Sequence, residues 1–276
     1  FNAAGGLASS AFGWSNTASA ENASAFGYVN EASGLASSAL GFRNKAANEN
    51  ASAVGYGNNA GGVASSAFGF SNVAKVDYAS AFGDSSEASG LAASAVGVRN
   101  KAASENASAV GYGNNANALA ASAVGYNNTA GGVGSSAIGY NNTATNENAS
   151  AFGYGNTAGG LASSAFGFSN TASGDNANAF GYNNIASGSK SNVFGTGNTV
   201  SGSSSTAVGT ANEVAAENST AIGNNNTISA GAENSAALGN NISISLKDSV
   251  ALGNNSTATA INSVTGNSSY TKWAGV

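Results

Sequence analysis

The sequence predicts an all-β solenoid, a stack of about eighteen short coils of fourteen residues each. A glycine recurs at fourteen-residue spacing from Gly13 to Gly223, and again at Gly239 and Gly253 after a two-residue insertion. The residue before this glycine is always Phe, Leu, Val or Ile, and Asn stands three places after it in most coils. So strict a period predicts a stack of small similar units rather than a globular domain with an irregular core.

Each coil is predicted to contain two strands of about four or five residues and two tight turns. In Ser150-Ala151-Phe152-Gly153, small and large residues alternate, which is typical of a short strand with two faces. The glycine can adopt a positive φ, so we expect it at a turn, and Asn tolerates a similar geometry. Asn at one place in successive coils can also form a ladder of stacked amides. Glycine at this frequency disfavours a helix, and a disordered linker would have no reason to keep a large apolar residue at one phase.

The apolar residue before each glycine forms one column of the predicted stack. A coil with only one large apolar side chain has little to bury, so a lone solenoid would be marginally stable. Ala at the alternate positions indicates a coil interior too narrow for larger side chains. We therefore expect the column at a face shared with other copies of the chain, the alternative being the core of the coil. The column consists of Phe12, Phe26, Leu40, Val54, Phe68, Phe82, Val96, Val110, Val124, Ile138, Phe152, Phe166 and Phe180.

A second column is formed by the residue after each glycine, which is aromatic in most coils. If exposed, it would be a large apolar surface suited to attachment, and we take it as the candidate ligand-binding surface. The alternative is that it fills the seam between neighbouring chains. Asp84, Val98 and Thr196 interrupt it. Its members are Trp14, Tyr28, Phe42, Tyr56, Phe70, Tyr112, Tyr126, Tyr140 and Tyr154, continued by Phe168 and Tyr182.

The composition excludes several classes of site. The chain has no Cys and no His, so disulfides, zinc sites and imidazole bases are excluded. No pair of acidic residues is marked out for glycoside hydrolysis, and no fixed Asp position predicts calcium. We expect no catalytic residue, metal or cofactor. The eight Lys and Arg form no basic stripe, so nucleic acid is not an expected partner. No apolar run reaches the roughly 18 residues of a membrane-spanning helix.

Several features are predicted along the chain. Glu31 and Lys45 lie one coil apart, as do Glu87 and Lys101, so each pair should be neighbours on the surface. The insertion between Ser229 and Glu233 should form a loop at a corner. Beyond Gly253 the pattern decays, and residues 263–266 resemble a shortened last coil. The repeat is already in phase at residue 2, so we expect the chain to be a piece of a longer protein.

The repeats Ser249-Val250-Ala251-Leu252-Gly253 and Ser219-Thr220-Ala221-Ile222-Gly223, with the many Ser-Ala-Phe-Gly tetrads, resemble the head repeats of YadA-like trimeric autotransporter adhesins. Most coils differ from that motif in carrying Ser, not Val, three places before the glycine. The resemblance implies a left-handed parallel β-roll, assembled side by side as a homotrimer. It implies a head over residues 1–260, followed at 261–276 by a degenerate last coil and the start of a neck or connector.

The same resemblance implies display at the cell surface, from the outer membrane of a Gram-negative bacterium. Attachment to extracellular-matrix proteins such as collagen, fibronectin and laminin, to cells, or to abiotic surfaces would be the function. Two alternatives stay open. Thr129, Thr143, Thr157 and Thr171 lie one coil apart, as in ice-binding solenoids, although a paired Thr-X-Thr face is missing. The chain could also be a passive spacer in a longer fibre.

Overall fold

The computed structural model describes residues 1–260 and 263–265, in two compact units, Phe1–Asn141 and Asn142–Val276. Each unit is a parallel β-solenoid whose turns are fourteen residues apart, and the two units contain about eighteen turns in total. No helix occurs among the described residues. The predicted β-solenoid of about eighteen coils is therefore confirmed.

Each turn of the solenoid contains one strand of five residues and one of two. In unit 1 the five-residue strands are Ser10–Trp14, Ser24–Tyr28, Ser38–Phe42, Ser52–Tyr56, Ser66–Phe70, Ser80–Asp84, Ser94–Val98, Ser108–Tyr112, Ser122–Tyr126 and Ser136–Tyr140. Its two-residue strands are Ala3–Ala4, Thr17–Ala18, Glu31–Ala32, Lys45–Ala46, Asn59–Ala60, Val73–Ala74, Glu87–Ala88, Lys101–Ala102, Asn115–Ala116 and Thr129–Ala130.

Unit 2 repeats this arrangement. Its five-residue strands are Ser150–Tyr154, Ser164–Phe168, Asn178–Tyr182, Asn192–Thr196, Thr206–Thr210, Thr220–Asn224, Ala236–Asn240 and Val250–Asn254. Its shorter strands are Thr143–Ala144, Thr157–Ala158, Thr171–Ala172, Ile185–Ala186, Thr199–Val200, Glu213–Val214, Thr227–Ile228, Ser243–Ile244, Thr257–Ala260 and Ser263–Thr265.

Equivalent residues of successive turns are register partners within each unit. Phe26 lies opposite Leu40 and Gly27 opposite Gly41, in parallel strands. The two-residue insertion does not disturb this pairing, because Thr220–Asn224 pairs with Ala236–Asn240 in the same way. The extra residues form a turn in which the Ala232 N–H donates to the Ser229 carbonyl at 3.1 Å. The predicted corner loop is confirmed.

The end of the described chain differs from the prediction. Ser263–Thr265 pairs antiparallel with Thr257–Ala260 and therefore does not add a shortened parallel coil. The rest of the segment 261–276, including the predicted start of a neck or connector, lies outside the described residues.

The corners are made by residues in the left-handed conformation, seven residues apart. Val29, Ala36 and Arg43 have φ values of 55°, 53° and 52°. A second bend, closed by the Ser37 N–H donating to the Gly34 carbonyl at 3.1 Å, takes up residues that were expected to be strand. For this reason the second strand has two residues and not the predicted four or five.

The repeated glycine lies inside the five-residue strand and not at a turn. Gly41, in the strand Ser38–Phe42, has a φ of +117°. A Cβ atom there would lie 2.2 Å from the carbonyl oxygen of Gly55 in the next turn. Glycine is thus required both by the backbone conformation and by the close approach of the next strand.

The interior of the coil is filled by small side chains. Ala25, Ala32 and Ala39 are fully buried, as are their equivalents in most turns. Late in unit 2 the interior positions enlarge, and Val193 and Ile228 are fully buried there. The expectation of a narrow interior is confirmed for the alanine-filled turns.

Buried asparagines connect each turn to the next. The Asn44 backbone N–H and side-chain amide both donate to Oδ1 of Asn30, at 3.0 and 3.1 Å. The same amide nitrogen lies 2.9 Å from the Leu40 carbonyl and 2.7 Å from the Gly55 carbonyl. Since two N–H groups face three acceptors, one of these bonds is shared. The predicted amide ladder is confirmed, and Asn44 is 1% exposed.

Ser86 replaces asparagine at one rung. Its hydroxyl donates to the Gly97 carbonyl at 3.1 Å and accepts from the Asn100 N–H at 3.3 Å. Residues 87–116 repeat residues 31–60 with four substitutions. The hydrogen bond from the Asn100 N–H to Ser86 can therefore be compared directly with the one from the Asn44 N–H to Asn30.

We expect Asn30→Ser to lower the free energy of unfolding by about 1–2 kcal/mol, because the buried carbonyls around it lose their donor. Ser86→Asn should raise it by about 1 kcal/mol, because an amide adds the side-chain hydrogen bonds that the Ser86 hydroxyl does not make. Guanidinium unfolding monitored by circular dichroism measures both changes. The two changes in the free energy of unfolding need not be equal in size. An unchanged free energy of unfolding in Asn30→Ser would contradict a stabilising role for the ladder.

Val29 is a β-branched residue in the left-handed region, where such side chains are strained. Val29→Asn should therefore stabilise unit 1 by about 1 kcal/mol. Ser85 occupies the equivalent corner four turns later with a φ of 55°, and Ser85→Asn is the matched control with a smaller expected gain. The same unfolding experiment compares the two, and a larger gain at Ser85 would show that strain at Val29 is not the cause.

Candidate functional site

The two columns predicted from the sequence lie on the same face of the five-residue strands. Ala25 in the strand Ser24–Tyr28 is fully buried, whereas Phe26 and Tyr28 are exposed. Because side chains alternate along a strand, residues two places apart point to the same side. Most strands thus place a small polar residue, an apolar residue and an aromatic residue on their outer surface.

The apolar column lies outside the coil along its whole length. All thirteen predicted members are exposed or half-buried, and none is buried. Several neighbours stack on each other, with ring centroids 5.1 Å apart for Phe68 and Phe82 and 4.7 Å apart for Phe152 and Phe166. These side chains therefore cover the middle of the strand face and are not the core of the coil.

The aromatic column of unit 1 begins as a stack of five rings. From Trp14 to Phe70, successive ring centroids are 4.5, 4.9, 4.7 and 4.9 Å apart. The interplanar angles do not exceed 11°. Since the rings lie face to face along the stack, they present their edges and tyrosine hydroxyls to solvent. This column lies next to the corner, at the end of each strand.

Asp84 and Val98 interrupt the stack, which resumes with Tyr112, Tyr126 and Tyr140. In unit 2, Phe168 stacks on Tyr154 at 4.7 Å and on Tyr182 at 5.2 Å. The rings end where Thr196 takes the next place. The structure thus brings together the predicted ligand-binding residues within each unit.

The described residues of unit 1 include an ion pair and a cation–π contact. Lys45 and Glu31 form the predicted ion pair at 3.2 Å, whereas Lys101 and Glu87 are register partners without an ion pair. The Arg43 guanidinium lies 5.1 Å from the centroid of the Phe42 ring, a cation–π contact that sequence reasoning missed. The sequence contains a signal for this contact, because Arg43 directly follows Phe42.

Two acidic side chains cap backbone groups of the preceding turn. Asp77 accepts from the Val63 N–H at 2.8 Å, and Asp175 accepts from the Leu161 N–H at 3.0 Å. The described part of the chain contains no group of three or more metal-ligating side chains. Nor do these residues include an apolar helix of the length that spans a membrane.

The threonine column is short. Thr143, Thr157 and Thr171 are successive register partners in unit 2, but Ile185 takes the next place and Glu213 follows two turns later. The hydroxyl surface expected of an ice-binding solenoid is therefore interrupted.

A family model, the YadA head domain repeat, matches residues 4–29, 32–58, 88–114, 116–142, 130–156, 158–184, 201–226 and 247–264. Together these segments include well over half of the chain. A comparison with curated proteins finds no match.

Proposed function

Because the chain belongs to the YadA head domain repeat family, we propose that it is the head of a trimeric surface adhesin. The family is a non-enzymatic adhesin family, and attachment without catalysis is the proposed activity. The observation that carries the proposal is the outer face of the five-residue strands, where an apolar column runs along each unit and aromatic stacks run along part of it. Contiguous apolar surfaces of this kind mark interaction sites.

The apolar column at the middle of this face is the proposed interface between three copies of the chain. Its side chains have no place inside the coil, where alanine already fills the space. A large apolar side chain recurs at this place in every turn, and identical chains that share such a face assemble with closed symmetry. Left-handed coils in a side-by-side homotrimer are part of this proposal.

The aromatic column at the end of the strand is the proposed ligand-binding surface. Its position beside the corner puts it at the edge of the trimer interface, where ring edges and hydroxyls can reach a ligand. Three copies of a repeated surface favour multivalent attachment, in which many weak contacts add. Extracellular-matrix proteins, cells and abiotic surfaces are the proposed targets, with display from the outer membrane of a Gram-negative bacterium.

We expect the chain to have a mass in solution of three times 26.4 kDa by light scattering. Changing Phe152, Phe166 and Phe180 together to Thr should weaken the trimer, so that the mass falls at a higher concentration than for wild type on dilution, because it removes three turns of the apolar column. The matched control changes Tyr154, Phe168 and Tyr182 to Thr, in the same turns but two residues away. This control should stay trimeric, and a monomeric wild type would overturn the proposed assembly.

The control variant also tests attachment. Changing Tyr154, Phe168 and Tyr182 to Thr removes three of the eleven rings of the column. Because the contributions of linked weak contacts multiply, we expect retention on fibronectin, on collagen or on polystyrene to fall by at least about threefold. Thr is tolerated at this place, as Thr196 and Thr210 demonstrate. Retention is measured with labelled protein on coated plates, and retention equal to wild type on every surface would contradict the assignment of this column.

A passive spacer would behave differently. Deletion of residues 87–142 removes four turns and preserves the register. The adhesin should lose part of its retention in the plate assay, whereas a spacer has no retention of its own to lose.

A further inference from the structure

Unit 1 contains one run of tyrosines in direct contact. Tyr112, Tyr126 and Tyr140 are register partners on successive strands. Their ring centroids are 4.9 Å apart in both pairs, with interplanar angles of 7° and 2°. Three phenol side chains are therefore held parallel, one strand spacing apart.

Elsewhere in each unit's stacks a phenylalanine separates one tyrosine from the next. The order is Tyr28, Phe42, Tyr56 and Phe70 in unit 1, and Tyr154, Phe168 and Tyr182 in unit 2. Tyrosines in these stacks are two turns apart, or about 9.6 Å, and do not touch. The two arrangements have the same backbone and differ only in which rings carry a hydroxyl.

The run of three is open to reagents from solution. Tyr112, Tyr126 and Tyr140 are 37%, 39% and 43% exposed. Parallel stacking directs the hydroxyl ends of the rings to the same side, so the ring carbons next to the hydroxyls of neighbouring residues are also about one strand spacing apart, roughly 4.8 Å. Reacting groups held together in this way couple far faster than free ones.

We propose that Tyr112, Tyr126 and Tyr140 form an oxidative cross-linking site, whose co-reactant is hydrogen peroxide used by a haem peroxidase. Each of two neighbouring phenols loses one electron and its hydroxyl proton and becomes a phenoxyl radical. The radicals join through a carbon–carbon bond between the Cε atoms. The hydrogen on each of these carbons leaves as a proton, and each oxygen regains one. In sum, the pair loses two hydrogen atoms, and the peroxide is reduced to two waters.

The product is a covalent connection between adjacent turns. It closes a loop of one repeat, fourteen residues, and so restricts the unfolded chain without changing the register of the strands. Phenylalanine cannot react in this way, because it has no phenolic hydrogen to give up. The interleaved stacks are therefore unreactive copies of the same geometry.

The test treats the full folded chain with a haem peroxidase and hydrogen peroxide. Tyr154 follows Tyr140 by one repeat in the sequence but belongs to the other unit. All proteins therefore carry Tyr154→Phe, so that Tyr154 contributes nothing to the measured yield. We expect dityrosine fluorescence, the mass loss of two hydrogens per link, and chains that run as monomers on a denaturing gel. Adding Tyr126→Phe should reduce the dityrosine yield at least tenfold, since it leaves Tyr112 and Tyr140 two turns apart.

Tyr56→Phe is the matched control, which removes one tyrosine whose neighbours are Phe42 and Phe70 and should leave the yield unchanged. Phe42→Tyr, added to the Tyr126→Phe variant, should restore the yield by joining Tyr28 and Tyr56 into a new run. Circular dichroism verifies that each variant is folded. Absence of dityrosine in the starting protein, or a yield that does not depend on Tyr126, overturns the proposal. Links found only between chains overturn it as well.

Discussion

The buried asparagine amide is the interaction on which the rest of the structure depends. The interior of a coil is lined by alanine, which packs but gives little apolar area, so directional bonds must hold one turn on the next. Each Asn uses its oxygen to accept from the following turn and its nitrogen to reach two carbonyls and the preceding amide, as Asn44 does. The same amide nitrogen also reaches the carbonyl of Gly55 in the next turn. Register between turns, and with it the alignment of both outer columns, is thus set from inside the coil.

A fourteen-residue period was enough to predict the solenoid, the vertical pairing of equivalent residues, the amide ladder and the corner loop near Ser229. These features depend only on which residues repeat. The length of the second strand and the place of the glycine could not be predicted, because they depend on backbone dihedral angles. One signal was present but not used. Gly57 and Gly134 stand where many other coils have Asn, Ser or Ala, which marks the left-handed corners seven residues apart.

The repeat pattern predicted both columns of the candidate site, but we assigned them to two separate surfaces. Phe26 and Tyr28 differ by two positions in one strand, so a shared face follows from strand alternation alone. The parallel stacking of rings and the Arg43 contact with Phe42 needed the three-dimensional structure. Whether a ring presents its face or its edge depends on the side-chain rotamer, which no repeat pattern specifies.

The buried residues of the coil interior are alanine in most turns and become larger late in the chain. Turns with an alanine interior, such as those containing Ala88 and Ala102, have interchangeable inner surfaces, so recombination between gene segments can add or remove them in whole repeats without repacking. The late turns have Val200, Val214 and Ile228 at the same place, and each of these methyl-rich side chains packs against its like. An alanine turn spliced among them would leave a cavity. Heritable variation in the length of the head should therefore arise in its alanine-filled part.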